Sequence, residues 1–282
     1  MRLLRLGGAA AAAGLAWGYF EAGWVRLETL RCRLAGLPSE LDGLRIAHLS
    51  DFHLGVPSRG EHAVERAVEW VEERQPDLTL ISGDLLSRPN AEARLRALVA
   101  RLPQCFAVLG NHDFAHSRDP FSHPAALVDL EPATLLSDDA RTIELRGRRV
   151  QIVGVDPRAY RRRLARPERF ADPDADLRIL LCHYPSIVDR IPEGVFDLVL
   201  SGHLHAGQIC LPWPGGRLRL AHIRWTYIEG LYHRPAATLH LSAGLGTTFV
   251  PFRFLARPEA TELVLTGGDG SATARRRLLQ SQ

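Results

Sequence analysis

Residues 45–53 read RIAHLSDFH, an apolar run that ends in a polar cluster. The apolar part, Arg45–Leu49, predicts a buried β-strand. After it, apolar residues recur at the spacing of one helix face, at Ala63, Val64, Ala67, Val68 and Val71. A second short strand, Leu78–Ile81, follows this helix. Strand, helix and strand together predict a layered α/β fold.

The same alternation continues along the chain. A helix over about residues 91–101 leads to a third strand, Cys105–Leu109. Further strands are predicted at Val150–Val155, Leu177–Cys182, Phe196–Leu200, Thr238–Ser242 and Thr261–Leu265. The last two, with Arg217–Leu220, have no helix between them, and we expect them to pair antiparallel. No internal repeat or second-domain boundary interrupts the pattern.

Five of the predicted strands are followed by polar clusters. The clusters are Asp51-Phe52-His53, Gly83-Asp84, Gly110-Asn111-His112-Asp113, His183 and Gly202-His203-Leu204-His205. In open α/β sheets, ligands bind at the carboxyl ends of the strands, so residues distant in sequence converge there. Asp51, Asp84 and Asn111 are separated by 33 and 27 residues, and one strand–helix–strand unit takes roughly 30 residues. These three side chains are therefore expected on neighbouring strands.

The residue types in these clusters indicate a metal site. Carboxylate, amide and imidazole donors suit zinc, manganese or iron. His203 and His205, like Asp51 and His53, are two residues apart, so on extended backbone each pair projects to one side. The candidate ligands are too many for one tetrahedral site, and they suit two ions about 3.5–4 Å apart that share a carboxylate. Asp84 is the best bridge, because Gly83 beside it lets the backbone come close.

Composition excludes several other classes of protein. All 35 basic residues are Arg, so the chain has no lysine for a Walker motif, a pyridoxal phosphate Schiff base or a protein-kinase site. The formal charge of +3 is too small to indicate a nucleic-acid partner. The cysteines lie far apart and form no C-x-x-C pair, at Cys32, Cys105, Cys182 and Cys210. Neither a zinc knuckle nor a dithiol redox motif is therefore expected.

Residues 1–24 predict an N-terminal membrane anchor or signal segment. From Leu6 to Trp24 the single charged residue is Glu21, and Arg2 and Arg5 precede the segment. As a helix it would extend about 28 Å, close to the roughly 30 Å of a bilayer's hydrocarbon core. Its aromatic residues gather at one end, as in an interfacial belt, at Trp17, Tyr19, Phe20 and Trp24. The alternative is an alanine-rich helix packed on the folded domain. We expect that domain at 25–270, followed by a disordered basic tail at 271–282.

The ordered blocks D-x-H, G-D, G-N-H-D, H and G-H-x-H between Arg45 and His205 resemble the signature of the calcineurin-like metallophosphoesterase superfamily. This resemblance implies an α/β fold of the metallophosphoesterase type, a layered sandwich with a mixed sheet core and flanking helices. Residues 242–246, 251–254 and 257–259, with the N-terminal apolar segment, resemble the bacterial membrane-associated phosphodiesterase branch, which includes UDP-2,3-diacylglucosamine pyrophosphatases. Attachment to the bacterial inner membrane is then expected, and the side of the membrane is left open.

The resemblance also implies a role for each residue of the clusters. Two divalent ions, manganese, iron or zinc, are expected. One would be held by Asp51, His53, Asp84 and His205, and the other by Asp84, Asn111, His183 and His203. His112 would be the catalytic histidine near the leaving group, with Asp113 orienting it. Two departures leave these ligands intact: no further acid follows Gly83-Asp84, and Ala206 replaces a glycine common after the last histidine.

The expected reaction is hydrolysis of a phosphodiester or a pyrophosphate. Two divalent ions acidify water and neutralise phosphate oxygens in the transition state. An imidazole, with an ordinary pKa of about 6.5, suits proton donation to the leaving oxygen. A lipid-linked phosphate such as UDP-2,3-diacylglucosamine, in lipid A biosynthesis, is one expected substrate, and the aromatic, arginine-containing stretch 222–227 suits it. The alternatives are a general phosphodiesterase on small or cell-wall phosphates, a nuclease, and a non-catalytic scaffold.

Overall fold

Two six-stranded sheets dominate the computed structural model, which describes residues 2–125, 127–223 and 225–268. The first sheet runs from edge to edge as Arg26–Ala35 (β1), Glu259–Gly268 (β14), Arg45–Leu49 (β2), Leu78–Ile81 (β3), Cys105–Ala107 (β4) and Thr134–Leu135 (β5). The second runs as Gly230–His233 (β12), Thr238–Leu241 (β13), Leu198–Ser201 (β9), Leu177–Leu181 (β8), Arg148–Gly154 (β7) and Asp139–Leu145 (β6). A separate hairpin consists of Cys210–Trp213 (β10) and Gly216–Arg219 (β11).

Helices flank these sheets. The α-helices are Arg2–Glu21 (α1), Gly60–Arg74 (α2), Glu92–Val99 (α3) and Pro157–Arg161 (α4). Short 3₁₀ turns lie at Ser39–Leu41, Pro89–Ala91, Pro167–Phe170, Pro185–Asp189 and His205–Gly207. Because α2 and α3 carry apolar residues on one side and charged residues on the other, each buries a single face.

The main apolar core lies between the two sheets. Ile46 and Leu80 of the first sheet and Ile179 and Leu200 of the second are fully buried in one cluster. A second cluster joins the outer face of the first sheet to α2 and α3. A third covers the outer face of the second sheet with residues that include Ile187. This layering confirms the expected α/β sandwich with a mixed sheet core and flanking helices.

The parallel strands align the ends that carry the polar clusters. In the first sheet β2, β3 and β4 run parallel, with Leu49 opposite Ile81 and Ile81 opposite Ala107. In the second sheet β7, β8 and β9 also run parallel. The loops that follow these strands therefore leave each sheet at one edge, as the sequence predicts for Asp51, Asp84 and Asn111.

The pairing predicted for the later strands is wrong. β11 pairs with β10, β13 lies between β9 and β12, and β14 lies between β1 and β2. The three segments therefore belong to three different sheets. All four residues of β13 are buried, which is the pattern of a central strand covered on both faces. β1, which the sequence analysis did not predict, has the period-2 pattern of a half-buried strand, with Cys32 and Leu34 buried and Arg31 and Arg33 exposed.

No helix in the described residues is long and apolar enough to cross a membrane. The prediction of a transmembrane helix at residues 1–24 is therefore not supported. The reason lies in composition, because twelve of the nineteen residues from Leu6 to Trp24 are Ala or Gly, which are only weakly apolar. The carboxyl end of α1 packs on the domain, where the backbone N–H of Arg253 donates to the carbonyl of Gly18 and that of Ala256 donates to Glu21. The predicted basic tail, 271–282, lies outside the described residues.

Candidate metal centre

The polar clusters lie in loops with strained backbone. Five predicted ligands have positive φ angles, namely Asp51 (53°), His53 (47°), Asp84 (54°), His203 (80°) and His205 (48°). A non-glycine residue held in this region costs of order 1–3 kcal/mol, and such residues concentrate at functional sites. The fold therefore holds these side chains in positions that an unconstrained loop would not adopt.

One group of three ligand atoms comes from Asp51, His53 and His205. The Nε2 atoms of His53 and His205 are 3.2 Å apart. Asp51 Oδ1 lies 3.8 Å from Nε2 of His53 and 3.4 Å from Nε2 of His205. All three residues are buried. Two imidazoles and a carboxylate that face one point form a donor set suited to a divalent ion.

A second group of three comes from Asp84, His183 and His203. His183 Nε2 lies 3.1 Å from Asp84 Oδ2 and 3.2 Å from His203 Nδ1. The other ring nitrogen of His183 lies 2.9 Å from the carbonyl oxygen of Ser82. A metal-binding histidine is usually oriented by such a bond from its far nitrogen.

Asp84 lies between these two groups. Its Oδ2 atom is 3.6 Å from Nε2 of His53 in the first group and 3.1 Å from Nε2 of His183 in the second. Its Oδ1 atom accepts a hydrogen bond of 2.8 Å from the backbone N–H of His112. Gly110 leaves the necessary space, because a Cβ atom there would lie 2.0 Å from Asp84 Oδ1. A single carboxylate oxygen thus faces both groups.

Asn111 offers an amide oxygen to the same cluster of loops. Its Oδ1 atom is buried and has no hydrogen-bond partner among the described residues. A buried polar atom without a partner is costly unless something else satisfies it. A cation satisfies an amide oxygen, so Asn111 fits the role of a metal ligand, as do the six residues of the two groups.

Burial and the mutual electrostatics of the cluster set its protonation. Burial lowers the pKa of His203 to about 3 and also lowers that of His205. Burial lowers the pKa of His183 as well, but the Asp84 carboxylate outweighs it and raises that pKa to about 9. For Asp84, burial raises the pKa, and the imidazoles around it, His183 first, bring it well below its ordinary value. The carboxylate is therefore ionised and two imidazoles are neutral near pH 7, the states that bind cations, whereas His183 carries a proton that a bound cation would displace.

His112 lies beside the first group. Its ring centroid is 4.6 Å from that of His53, and its Nδ1 atom has no hydrogen-bond partner among the described residues. Burial lowers its pKa to about 4. Two carboxylates lie near this ring: an Asp84 oxygen is within 4.8 Å of a ring nitrogen, and Asp119 Oδ2 is 3.8 Å from Nδ1.

Asp113 does not make the contact that the resemblance implies. Its carboxylate accepts backbone hydrogen bonds from Gly110 (2.8 Å), Leu86 (2.8 Å) and Leu85 (3.3 Å). These bonds join the loop after β3 to the loop after β4. Burial, followed by the nearby Asp84 charge, raises the pKa of Asp113 to about 7. Asp113 therefore holds the loops together, and Asp119 instead has a carboxylate oxygen 3.8 Å from Nδ1 of the His112 ring.

Arg253, which none of the five polar clusters includes, also contacts this centre. Its guanidinium is completely buried and lies 3.2 Å from Nδ1 of His205, the ring nitrogen that faces away from the ligand group. It also donates to the carbonyl oxygens of Gly246 and Ala256. The one feature of the sequence that marks Arg253 is its position as the single arginine in the apolar run 249–256.

Comparisons with known proteins agree with this geometry. A sequence model of the family described as "Calcineurin-like phosphoesterase" matches residues 44–207. An uncharacterized metallophosphoesterase of Bacillus subtilis, YkoQ, is 29% identical over 233 residues, covering 80% of this chain and 84% of the relative. An uncharacterized metallophosphoesterase of Helicobacter pylori is 31% identical over 283 residues, covering 93% of this chain and 70% of the relative. The UDP-2,3-diacylglucosamine pyrophosphatase LpxG of Chlamydia trachomatis is 26% identical over 258 residues, covering 72% of this chain and 77% of the relative.

The family match includes the loops after β2, β3, β4 and β9 and ends at Gly207, two residues past His205. It therefore spans every residue of the two ligand groups described above. The chain belongs to the calcineurin-like phosphoesterase family, and it is a metal-dependent phosphoesterase.

Proposed function

We propose that the chain hydrolyses a phosphodiester or a pyrophosphate at a centre of two divalent ions. The observation that carries this proposal is the position of Asp84 Oδ2 between the two ligand groups. The first ion is assigned to Asp51, His53, Asp84 and His205, and the second to Asp84, Asn111, His183 and His203. Manganese, iron and zinc all suit these donors.

When bound, such ions acidify water and neutralise the oxygens of a phosphate. The protein's own contribution on the leaving side is His112. Its imidazole is neutral near pH 7, because burial lowers its pKa to about 4. An incoming phosphate brings negative charge close to the ring, and negative charge raises the pKa of a neighbouring imidazole. With phosphate bound, His112 takes up a proton from solvent and donates it to the leaving oxygen, and Asp119 stabilises the charged ring in between.

The substrate class that we favour is a lipid-linked phosphate. Support comes from the similarity to LpxG, whose name describes a UDP-2,3-diacylglucosamine pyrophosphatase. The aromatic residues at the end of α1 agree with a location at the bacterial inner membrane, which we propose for this chain. A general phosphodiesterase on small phosphates is the competing function.

A substrate panel tests these proposals. The purified chain is loaded with Mn²⁺ in detergent and offered UDP-2,3-diacylglucosamine, bis(p-nitrophenyl) phosphate and p-nitrophenyl phosphate. We expect turnover of the first two to exceed that of the monoester, with UDP-2,3-diacylglucosamine preferred. A preference for the generic diester would favour the general phosphodiesterase, and the absence of turnover with all three substrates would contradict the proposed reaction.

Two variants tie turnover to the site. His112→Ala should lower the turnover number by about 10²–10⁴-fold and retain both ions in metal analysis. Asp84→Ala should lose metal as well as turnover. His62→Ala, an exposed histidine on α2, is the matched control and should behave like the wild type. Full turnover in Asp84→Ala would exclude the two-ion centre.

A further inference from the structure

Large apolar side chains are exposed mainly in three segments of the described chain. Of the 17 such residues, 14 lie within 6–24, 211–223 and 249–255. They are Leu6, Leu15, Trp17, Tyr19, Phe20, Trp24, Leu211, Trp213, Leu218, Leu220, Ile223, Phe249, Val250 and Leu255. The other three, Val128, Leu164 and Phe170, lie elsewhere in the chain. So uneven a distribution is unusual for scattered surface residues and marks an interaction surface.

The three segments form one apolar face. The backbone N–H of Cys210 in the hairpin donates to the carbonyl of Phe254, at 2.9 Å, and that of Arg253 donates to the carbonyl of Gly18 in α1, at 3.0 Å. A groove of about 550 Å³ separates the end of α1 from the hairpin and is lined by Trp17, Trp24 and Leu255 among others. The segments 6–24, 211–223 and 249–255 therefore lie next to one another in the fold, and all three expose apolar side chains.

The aromatic residues of this face have the arrangement of an interfacial belt. The rings of Trp17, Phe20 and Trp24 pack together with centroids 5.7–6.1 Å apart. Arg257 lies over the ring of Trp24, at 3.8 Å. Trp213 is at the tip of the hairpin and is 61% exposed. Tryptophan beside arginine suits the boundary between lipid headgroups and acyl chains.

The charge of the face is one-sided. Within residues 5–24, 211–223 and 249–257 the arginines that reach the surface are Arg5, Arg217, Arg219 and Arg257, and Arg217 is ion-paired with Glu229 at the edge of the groove. The one acidic residue, Glu21, is 2% exposed and accepts hydrogen bonds from Trp17 and Ala256. A basic apolar face attracts anionic phospholipids. Two copies of this chain paired through the same face would bring arginines opposite arginines, which disfavours a symmetric dimer.

The apolar face also borders the metal centre. The backbone N–H of Phe249 donates to Oδ2 of Asp119, the carboxylate beside His112. On the other side, Ile223 follows His222, whose ring centroid is 6.0 Å from that of His203. Exposed apolar residues thus flank the centre on two sides.

We propose that this face docks on the surface of an anionic phospholipid bilayer, with the β10–β11 hairpin and the 249–255 segment contacting lipid together with α1. The metal centre then lies at the membrane surface, where an amphipathic phosphate is presented. The docking depends only on the residues of the apolar face. Any increase in turnover that docking brings rests on the proposed function.

Vesicle co-sedimentation tests the docking. The full chain is mixed with vesicles of phosphatidylcholine alone or with 30% phosphatidylglycerol, at about 50 mM and about 500 mM salt. We expect binding to the anionic vesicles that weakens at high salt. The double variant Leu211→Ser/Trp213→Ser should bind at least about tenfold more weakly, because it removes two apolar side chains from the hairpin. The matched control Val128→Ser/Leu164→Ser removes two exposed apolar residues outside the face and should bind like the wild type.

Two results would overturn the docking surface. One is equal vesicle binding by the hairpin variant and the wild type. The other is a wild-type chain that does not bind anionic vesicles and is a dimer in solution, while the hairpin variant is a monomer. A second copy of the chain would then cover the face. Turnover of a soluble diester by the wild type is measured separately. Its failure would contradict the proposed function and leave the vesicle result standing.

Discussion

At the scale of single residues, Arg253 is the largest completely buried side chain in the described part of the chain. Taking a guanidinium out of water costs several kcal/mol unless its donors are satisfied. Here they reach the carbonyl oxygens of Ala243, Gly244, Gly246 and Ala256. One guanidinium nitrogen also lies 3.2 Å from Nδ1 of His205. Arg253 therefore holds the 243–256 segment together beside His205, on the side of that ring that faces away from the ligand group.

We expect Arg253→Met to weaken Mn²⁺ binding by about 10–100-fold, because Arg253 holds Gly246, whose backbone N–H donates to the carbonyl of Asp51, a proposed ligand. Methionine keeps much of the volume and removes every donor. Arg253→Lys, which retains a charged donor, should restore part of the affinity. Titration calorimetry with Mn²⁺ and metal analysis of the purified variants measure the effect.

Arg178→Met is the matched control for this prediction. Arg178 is also buried and lies in β8 at the end of the strand opposite His183. Its replacement should lower the melting temperature and leave Mn²⁺ affinity unchanged. Equal Mn²⁺ affinities in Arg253→Met and the wild type would show that Arg253 only stabilises the fold.

The residues of the metal centre were largely accessible from the sequence, because each follows a predicted strand. Strand ends, and the spacing of one strand–helix–strand unit, bring Asp51, Asp84 and Asn111 together. Arg253 and Asp119 follow no such rule. Each reaches the centre from a long irregular segment whose path depends on packing between distant parts of the chain. Their contacts become visible only in three dimensions.

At the scale of elements, a buried histidine pair joins the two sheets. His48 of β2 and His240 of β13 have their Nδ1 atoms 2.7 Å apart, and His48 Nε2 lies 2.9 Å from the Ser82 hydroxyl. Both rings are fully buried. Burial lowers the pKa of both, and for His48 the neighbouring His240 lowers it further. Both rings are therefore neutral in the folded protein near pH 7.

This pair predicts a loss of stability in mild acid. The folded pKa values lie below the ordinary value of about 6.5, so the unfolded chain binds more protons as the pH falls. The stabilisation is complete above about pH 6.5 and is lost below it, at up to about 1.4 kcal/mol per pH unit for each histidine. Urea unfolding at pH 7.5 and 5.5 measures the loss in the wild type and in His48→Gln/His240→Gln.

The double variant should lose less stability than the wild type between these pH values, by at most about 2.7 kcal/mol, since glutamine does not titrate. His62→Gln, at an exposed position of α2, should behave like the wild type. An identical loss in the double variant and the wild type would show that the pair does not contribute to acid sensitivity.

Element boundaries were predictable where burial alone sets them. β2 and β3 begin and end at the predicted residues, because short apolar runs between polar residues fit strands buried on both faces. Strand partners were less accessible. β14 pairs in parallel with β1 and antiparallel with β2, an arrangement between distant segments that local pattern does not encode.

At the scale of the whole molecule, the metal centre is shared between the two sheets. Asp51, His53 and Asp84 follow strands of the first sheet, whereas His183, His203 and His205 follow strands of the second. Neither sheet alone assembles a ligand group that includes Asp84 and His183. Ions bound there link the sheets, so metal binding should stabilise the folded state of the whole domain.

We therefore expect Mn²⁺ to raise the melting temperature of the metal-free chain. A ligand at about 100 times its dissociation constant adds about 2.7 kcal/mol to the free energy of unfolding. For a domain of this size that corresponds to a rise of roughly 5–10 °C. Differential scanning calorimetry with EDTA and with Mn²⁺ measures the shift. Asp84→Ala should show little of this rise in melting temperature, because the variant lacks the carboxylate that faces both groups. The control Asp129→Ala, which changes an exposed acid on the surface, should show the full rise. A rise in Asp84→Ala equal to that of the wild type would place the stabilising ions outside the centre, since Asp84 then contributes nothing to their binding.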